Sequence, residues 1–264
     1  VIQMIAFCSD GAANCGILME LMEANLNDVM SKPEFHEYNS WEGSLLAVAT
    51  DTSLGMGYLH AQSVLHCDLK PANILISAHW VAKVADFGHS WEKTSREGAD
   101  QLEQLLGTPP YMAPEVIRTR TYDKPVDVWS FGCVLTHMAT GRAPYSQLGR
   151  MRIIEVLKII GEGATAADAT VTDATPLPIR KLITSCVTRT ATDRPSFDDI
   201  TSILSSREVT TTIYPAGTQR EGADTDRIDP RPIGRLKHGV PSRVQLRWGA
   251  ARDAVQAGAF KATK

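Results

Sequence analysis

Three polar side chains, Asp68, Lys70 and Asn73, fall within six residues of the stretch "SVLHCDLKPANIL", Ser63 to Leu75. Further on, Asp86-Phe87-Gly88 adds a second carboxylate followed by a glycine. Oxygen donors such as Asn73 and Asp86 suit Mg²⁺, which takes few protein ligands and leaves phosphate and water to fill its shell. An ammonium such as Lys70 suits a phosphoryl group in transfer, whose charge spreads over its outer oxygens. A carboxylate such as Asp68 can orient an attacking hydroxyl and take its proton late, so an ordinary pKa of about 3.9 suffices. Taken singly these signals are weak, because an isolated Asp-x-Lys is usually a solvated loop. Their order and spacing carry the weight.

Such a loop needs rigid elements on both sides. Apolar residues recur at helical spacing from Trp41 to Gln62, which predicts a core helix leading into the loop. "HWVAKVADF", residues 79–87, predicts a short strand leading to Asp86. Upstream, "VIQMIAF" and "ILMEL" read as two strands joined by the turn "CSDGAANCG", and so as a hairpin. Residues 88–110 are polar and long for a loop, a length usually tied to function. "PVDVWSFGCVLTHMA" from Pro125 reads as a buried helix, with further helices expected at 150–160, 177–187 and 197–206. From Arg207 onward, Pro, Gly, Thr and charge replace periodicity, and eleven Lys or Arg stand against six Asp or Glu. Residues 207–264 are therefore expected to be a disordered basic tail, with a short helix near 249–260 as an option.

The 264 residues are 43% hydrophobic and 22% charged, as in a soluble globular chain. A net charge of -3 gives no case for nucleic acid as a partner. The five cysteines are odd in number and scattered, which favours reduced thiols and a cytoplasmic setting. No run approaches the roughly 18 apolar residues of a membrane span, although an intracellular part of a longer membrane protein is compatible with this. His36, His60, His79, His89, His137 and His238 show no metal spacing and are expected at the surface or at helix caps.

"HCDLKPAN" matches the pattern His-Arg-Asp-Leu-x-x-x-Asn at every fixed position but the Arg, "DFG" follows through a strand, and "APE" at Ala113–Glu115 closes the long loop. With these three motifs in order, the chain resembles the protein kinase family over Val1 to about Ser206. The resemblance implies an α+β fold, with a mainly helical large lobe at 26–206 and a two-strand small-lobe remnant and hinge at 1–25. It implies ATP and Mg²⁺, with Asp68, Lys70 and Thr108 as catalytic residues beside Asn73 and Asp86 as metal ligands. Met19, Glu20, Met22, Asn25 and Leu75 become the nucleotide-binding residues, with Met19 as gatekeeper and Asn25 toward the ribose. Asp127 is implied as the anchor of the catalytic loop, Glu115 and Arg194 as a buried ion pair, and His66 and Phe87 as part of a hydrophobic spine. "DLKPAN" and "GTPPYMAPE" resemble the Ser/Thr form, and "RPSF" at Arg194–Phe197 places the chain nearest the tyrosine-kinase-like group. The implied activity is transfer of the γ-phosphate of ATP to protein Ser/Thr hydroxyls.

Two departures matter. The Gly-rich loop, third-strand Lys and C-helix of the family have no counterpart in the sequence, so an N-terminally truncated domain is expected, with the parent protein as the kinase and this chain itself weakly active or inactive. A non-catalytic, pseudokinase-like binding fragment is the alternative. Cys67 stands where the pattern has Arg. In many kinases that Arg pairs with a loop phosphate. A thiol cannot, so a loop that does without that switch is expected.

Overall fold

Helices take up the long apolar runs and strands the short ones in the computed structural model, which describes residues 1–9, 15–32, 40–92, 105–149, 151–164, 171 and 173–214. The hairpin pairs β1 (Met4–Ser9) with β2 (Cys15–Met19) antiparallel, with an irregularity between Met4 and Ala6. Just before it, the Ile2 N–H donates to the Val84 carbonyl at 2.8 Å, tying the chain's start to β6 (Ala82–Val84). Around the loop, β3 (Ala24–Asn25), β5 (Ile74–Ile76) and β6 form one antiparallel sheet in the order β3-β5-β6. A third pair joins β4 (Val64–Leu65) to β7 (Trp91–Glu92), so the polar stretch after Gly88 begins with a strand.

The helices are α1 (Leu26–Met30), α2 (Leu46–Ala61), α3 (Pro114–Thr119), α4 (Lys124–Thr140), α5 (Ile153–Glu162), α6 (Leu177–Cys186), α7 (Phe197–Leu204) and α8 (Arg207–Ile213). The architecture is α+β and mainly helical, as the motifs imply. Helix α4 is buried on every side from Val126 to Met138 and forms the axis of the core. It packs on α6, and Gly132 is what permits this. A Cβ there would lie 2.7 Å from both Cys186 Cβ and Val187 Cγ1. Helix α2 packs on α7 and β6, which brings the end of α2 and the loop after it against the start of α4.

Three expectations need correction. The helix expected over 41–62 opens with a π-helical turn at Trp41–Leu45, because Gly43 breaks helical geometry at φ -100°, ψ -110°. The strand expected over 79–87 is limited to Ala82–Val84, since Trp80 and Asp86 take left-handed φ of 58° and 66° on either side. A disordered tail does not begin at 207. Residues 207–213 form α8, capped by the Ser206 hydroxyl, which accepts from the Val209 N–H at 3.3 Å. Val209 and Ile213, four residues apart, bury one face of α8 against α6 and α7. The option of a helix near 249–260 lies outside the described residues.

Candidate active site

The loop that carries Asp68 is held from beneath by Asp127, in the first turn of α4. Its Oδ2 accepts from the His66 N–H and its Oδ1 from the Cys67 N–H, both at 2.9 Å, and His60 Nε2 donates to Oδ2 at 2.9 Å. With two backbone donors drawn to one carboxylate, Cys67 sits at a left-handed φ of 64°. An L-residue enters that region only where its surroundings over-determine it. Asp127 is fully buried, and these three bonds to it replace lost hydration. His60 and His137 are therefore not the surface or cap residues expected from sequence, for each is only 7% exposed.

Above that anchor, Asp68 meets two partners. Lys70 Nζ donates to Asp68 Oδ2 at 2.7 Å and to Thr108 Oγ1 at 2.8 Å, while the Thr108 hydroxyl donates to Asp68 Oδ1 at 2.7 Å. Thr108 arrives from a segment forty residues away. Gly107 lets it approach, since a Cβ there would lie 2.7 Å from the Cys67 carbonyl, and its φ is +110°. Pro71 starts a 3₁₀ turn over Pro71–Asn73, which aims Asn73 back at the loop. Asn73 Nδ2 donates to the Asp68 carbonyl at 2.9 Å and weakly to Asp68 Oδ2 at 3.3 Å.

Asp86 is linked to the same loop through the backbone. The Ala85 N–H donates to the Asn73 carbonyl at 2.9 Å, and His66 Nε2 donates to the Ala85 carbonyl at 3.2 Å. That fixes the His66 tautomer, so Nδ1 is left to accept from the Asp68 N–H at 3.3 Å. Phe87 lies against His66 with ring centroids 5.5 Å apart, and Asp86 itself is exposed. The donor set fits Mg²⁺. It offers an exposed carboxylate and an amide whose NH₂ is already used, which leaves its oxygen for a hard cation.

The Cys67 thiol is no nucleophile here. Burial above all, and then the charges of Asp127 and Asp68, push it far above the ordinary thiol value, so it stays protonated. His89, directly after the DFG triplet, was not expected at the site. Its Nδ1 lies 3.8 Å from Asp68 Oδ2 with the side chain half exposed. Glu115 and Arg194 do pair, with N···O distances of 2.6 and 2.9 Å. Arg194 also donates to the carbonyls of Thr188 and Pro125 and lies 5.0 Å over the Trp129 ring.

The residues expected around a nucleotide differ in exposure and in partners. Met19 is 42% exposed at the end of β2, and Met22 and Leu75 are half-buried. Glu20 accepts from Lys83 Nζ at 2.6 Å and from the Gln3 N–H at 2.8 Å, and the Lys83 bond first, then Gln3, holds its carboxyl below the usual range. Asn25 caps α1 instead of reaching outward. Its Oδ1 accepts from the Asp28 N–H at 2.9 Å and its Nδ2 donates to Asp28 Oδ2 at 2.8 Å.

Below the loop, Tyr111 Oη and His137 Nδ1 lie 2.9 Å apart. Burial holds the Tyr111 phenol protonated and lowers His137 to about 4, so the phenol donates to a neutral imidazole. A free imidazole titrates near 6.5. Between 6.5 and 4 the unfolded chain takes the proton and the folded chain does not. The stabilisation is therefore complete above about pH 6.5 and is lost as pH falls, by at most about 1.4 kcal/mol per unit. A pH series of thermal melts on wild type and His137→Asn is expected to diverge across this window, with the variant flatter. Parallel profiles would refute it.

A helical lobe is thus built around a buried Asp127, with Asp68, Lys70 and Thr108 meeting above it. The chain belongs to the protein kinase domain family, whose sequence model matches residues 1–205. It is 34% identical over 186 residues to the dual specificity protein kinase shkB of Dictyostelium discoideum, covering 70% of this chain and 28% of that protein. It is 33% identical over 210 residues to the serine/threonine/tyrosine-protein kinase HT1 of Arabidopsis thaliana, covering 77% and 50%. With the serine/threonine-protein kinase A-Raf of Mus musculus it shares 35% identity over 164 residues, covering 61% and 27%. The chain thus spans half or less of the length of these relatives. Among its described residues no helix is long and apolar enough to cross a membrane.

Proposed function

We propose that the protein carrying this domain transfers the γ-phosphate of ATP to serine and threonine hydroxyls of protein substrates. The observation that carries the reading is the mutual contact of Asp68, Lys70 and Thr108. Asp68 accepts a hydrogen bond from the substrate hydroxyl and takes its proton as the new O–P bond forms and the bond to the leaving ADP oxygen breaks. Lys70 already bridges Asp68 and Thr108, so its ammonium is held where it can bond the phosphoryl oxygens without a search of its rotamers. Asn73 and Asp86 would hold Mg²⁺, which when bound offsets phosphate charge. Thr108 keeps the Asp68 carboxylate in one orientation.

Serine and threonine are preferred over tyrosine on this reading because "DLKPAN" and "GTPPYMAPE" resemble the Ser/Thr form of the family. Two of the relatives are named for wider specificity, so the test must read the product residue. The full-length protein is incubated with γ-labelled Mg-ATP and a mixed protein substrate, and the labelled protein is hydrolysed to phosphoamino acids. Label in phosphoserine and phosphothreonine is expected. Label mainly in phosphotyrosine would overturn the specificity. Nucleotide binding with no transfer would favour the non-catalytic binding reading.

A further inference from the structure

The segment that delivers Thr108 to Asp68 is fastened at a second point. The Leu106 N–H donates to the Tyr122 hydroxyl at 2.8 Å. This bond is two residues from Thr108 and one from Gly107, where an added Cβ would meet the Cys67 carbonyl. Tyr122 is itself rigidly placed. It is 5% exposed and sits between Arg120, whose left-handed φ of 56° ends α3, and Asp123, whose side chain caps α4. Burial raises the Tyr122 phenol against the opposing Leu106 bond, so it remains a neutral hydroxyl able to accept the amide.

We infer that Tyr122 is a positioning residue, a neutral latch that seats residues 106–108 on the Cys67 backbone so that Thr108 meets Asp68 and Lys70. A side chain at Cys67 that cannot hold a charged group gives the segment no ionic tether at that spot. The Tyr122 hydroxyl supplies an uncharged tether instead. Cys67 and Tyr122 lie in one apolar cluster, where an uncharged hydrogen bond costs far less desolvation than an ion pair would. The latch also needs no modification to form, so the segment is seated in the unmodified chain.

The test uses the whole chain and amide hydrogen exchange. Tyr122→Phe keeps the ring and removes only the acceptor. Exchange of the amides at 106–108 is expected to rise about tenfold, in line with the net worth of a single hydrogen bond. Exchange within α4 and the thermal midpoint should stay near wild type. Unchanged exchange at 106–108 overturns the latch, and so does a uniform rise across the chain, which would mark general structural support. Fluorotyrosine at position 122 keeps ring and hydroxyl but weakens the oxygen as an acceptor. It should give a smaller rise at the same amides, and it decides the matter if the Phe variant does not fold. A second arm rests on the kinase reading: Tyr122→Phe should slow phosphoryl transfer about tenfold with nucleotide affinity unchanged. If the unmodified full-length protein transfers no phosphate, that reading fails, while the exchange arm still decides the latch.

Discussion

Asp127→Ala is expected to lower the thermal midpoint by about 10 °C or more. The substitution removes one side chain but strands three donors, the N–H groups of His66 and Cys67 and the His60 ring. A buried donor without a partner costs about 1–3 kcal/mol, and breaking a buried charged network about 3–5 kcal/mol. For a domain of roughly 200 residues each kcal/mol moves the midpoint by about 2–4 °C. Cys67 adds to the loss, since its left-handed backbone is held in place by those bonds and would relax without them. Asp127→Asn should fall between wild type and Ala, because it keeps one acceptor oxygen but turns an NH₂ group toward the other donors. Differential scanning calorimetry decides this. A midpoint for the Ala variant within 3 °C of wild type, taken here as about 1 kcal/mol, would show that the loop does not depend on its anchor.

Asp68→Asn is expected to cut phosphoryl transfer by about 10²–10⁴-fold, the usual contribution of a positioned acid–base group. The fold should hardly notice. Asn can turn its carbonyl oxygen to Lys70, which only donates, and its NH₂ to Thr108, whose hydroxyl can rotate to accept. What disappears is the negative charge and the site for the proton. Single-turnover rates, nucleotide affinity and melting midpoint should be read together. A large fall in rate with affinity within about twofold and the midpoint within about 3 °C is the expected pattern. Equal transfer by both proteins would remove Asp68 from the chemistry.

The parts of the site that were legible in the sequence are those built from contiguous residues. Asp68, Lys70 and Asn73 lie on one loop whose 3₁₀ turn is set by Pro71, so their spacing alone suggested joint action. Asp86 was legible because a strand and a glycine flank it. Thr108 and Asp127 came only through family resemblance, for nothing in the local pattern says that either folds back onto the loop. His60 and His137 were misread for a related reason. Their partners lie 67 and 26 residues away, and histidine composition carries no trace of such pairings. Tyr122 gave no signal, because a lone Tyr before a helix cap has many possible uses. Helix α8 was hidden by "TTT", whose low helix propensity is outweighed when Val209 and Ile213 find an apolar surface. Asn25 illustrates competition at one side chain, where the nearest unpaired N–H, at the start of α1, takes the oxygen.

Helix α4 touches both segments that must meet. Asp127 holds the loop of Asp68, the Ser130 hydroxyl donates to the Tyr111 carbonyl at 2.8 Å, and His137 takes the Tyr111 phenol. Both segments are thus mounted on one rod, as two jaws on a single jig. When the rod shifts, both jaws shift with it, and their positional errors are correlated instead of independent. The gap between Asp68 and Thr108 can then stay constant while the lobe around it breathes, which matters where an error of about 1 Å can cost a hundredfold in rate.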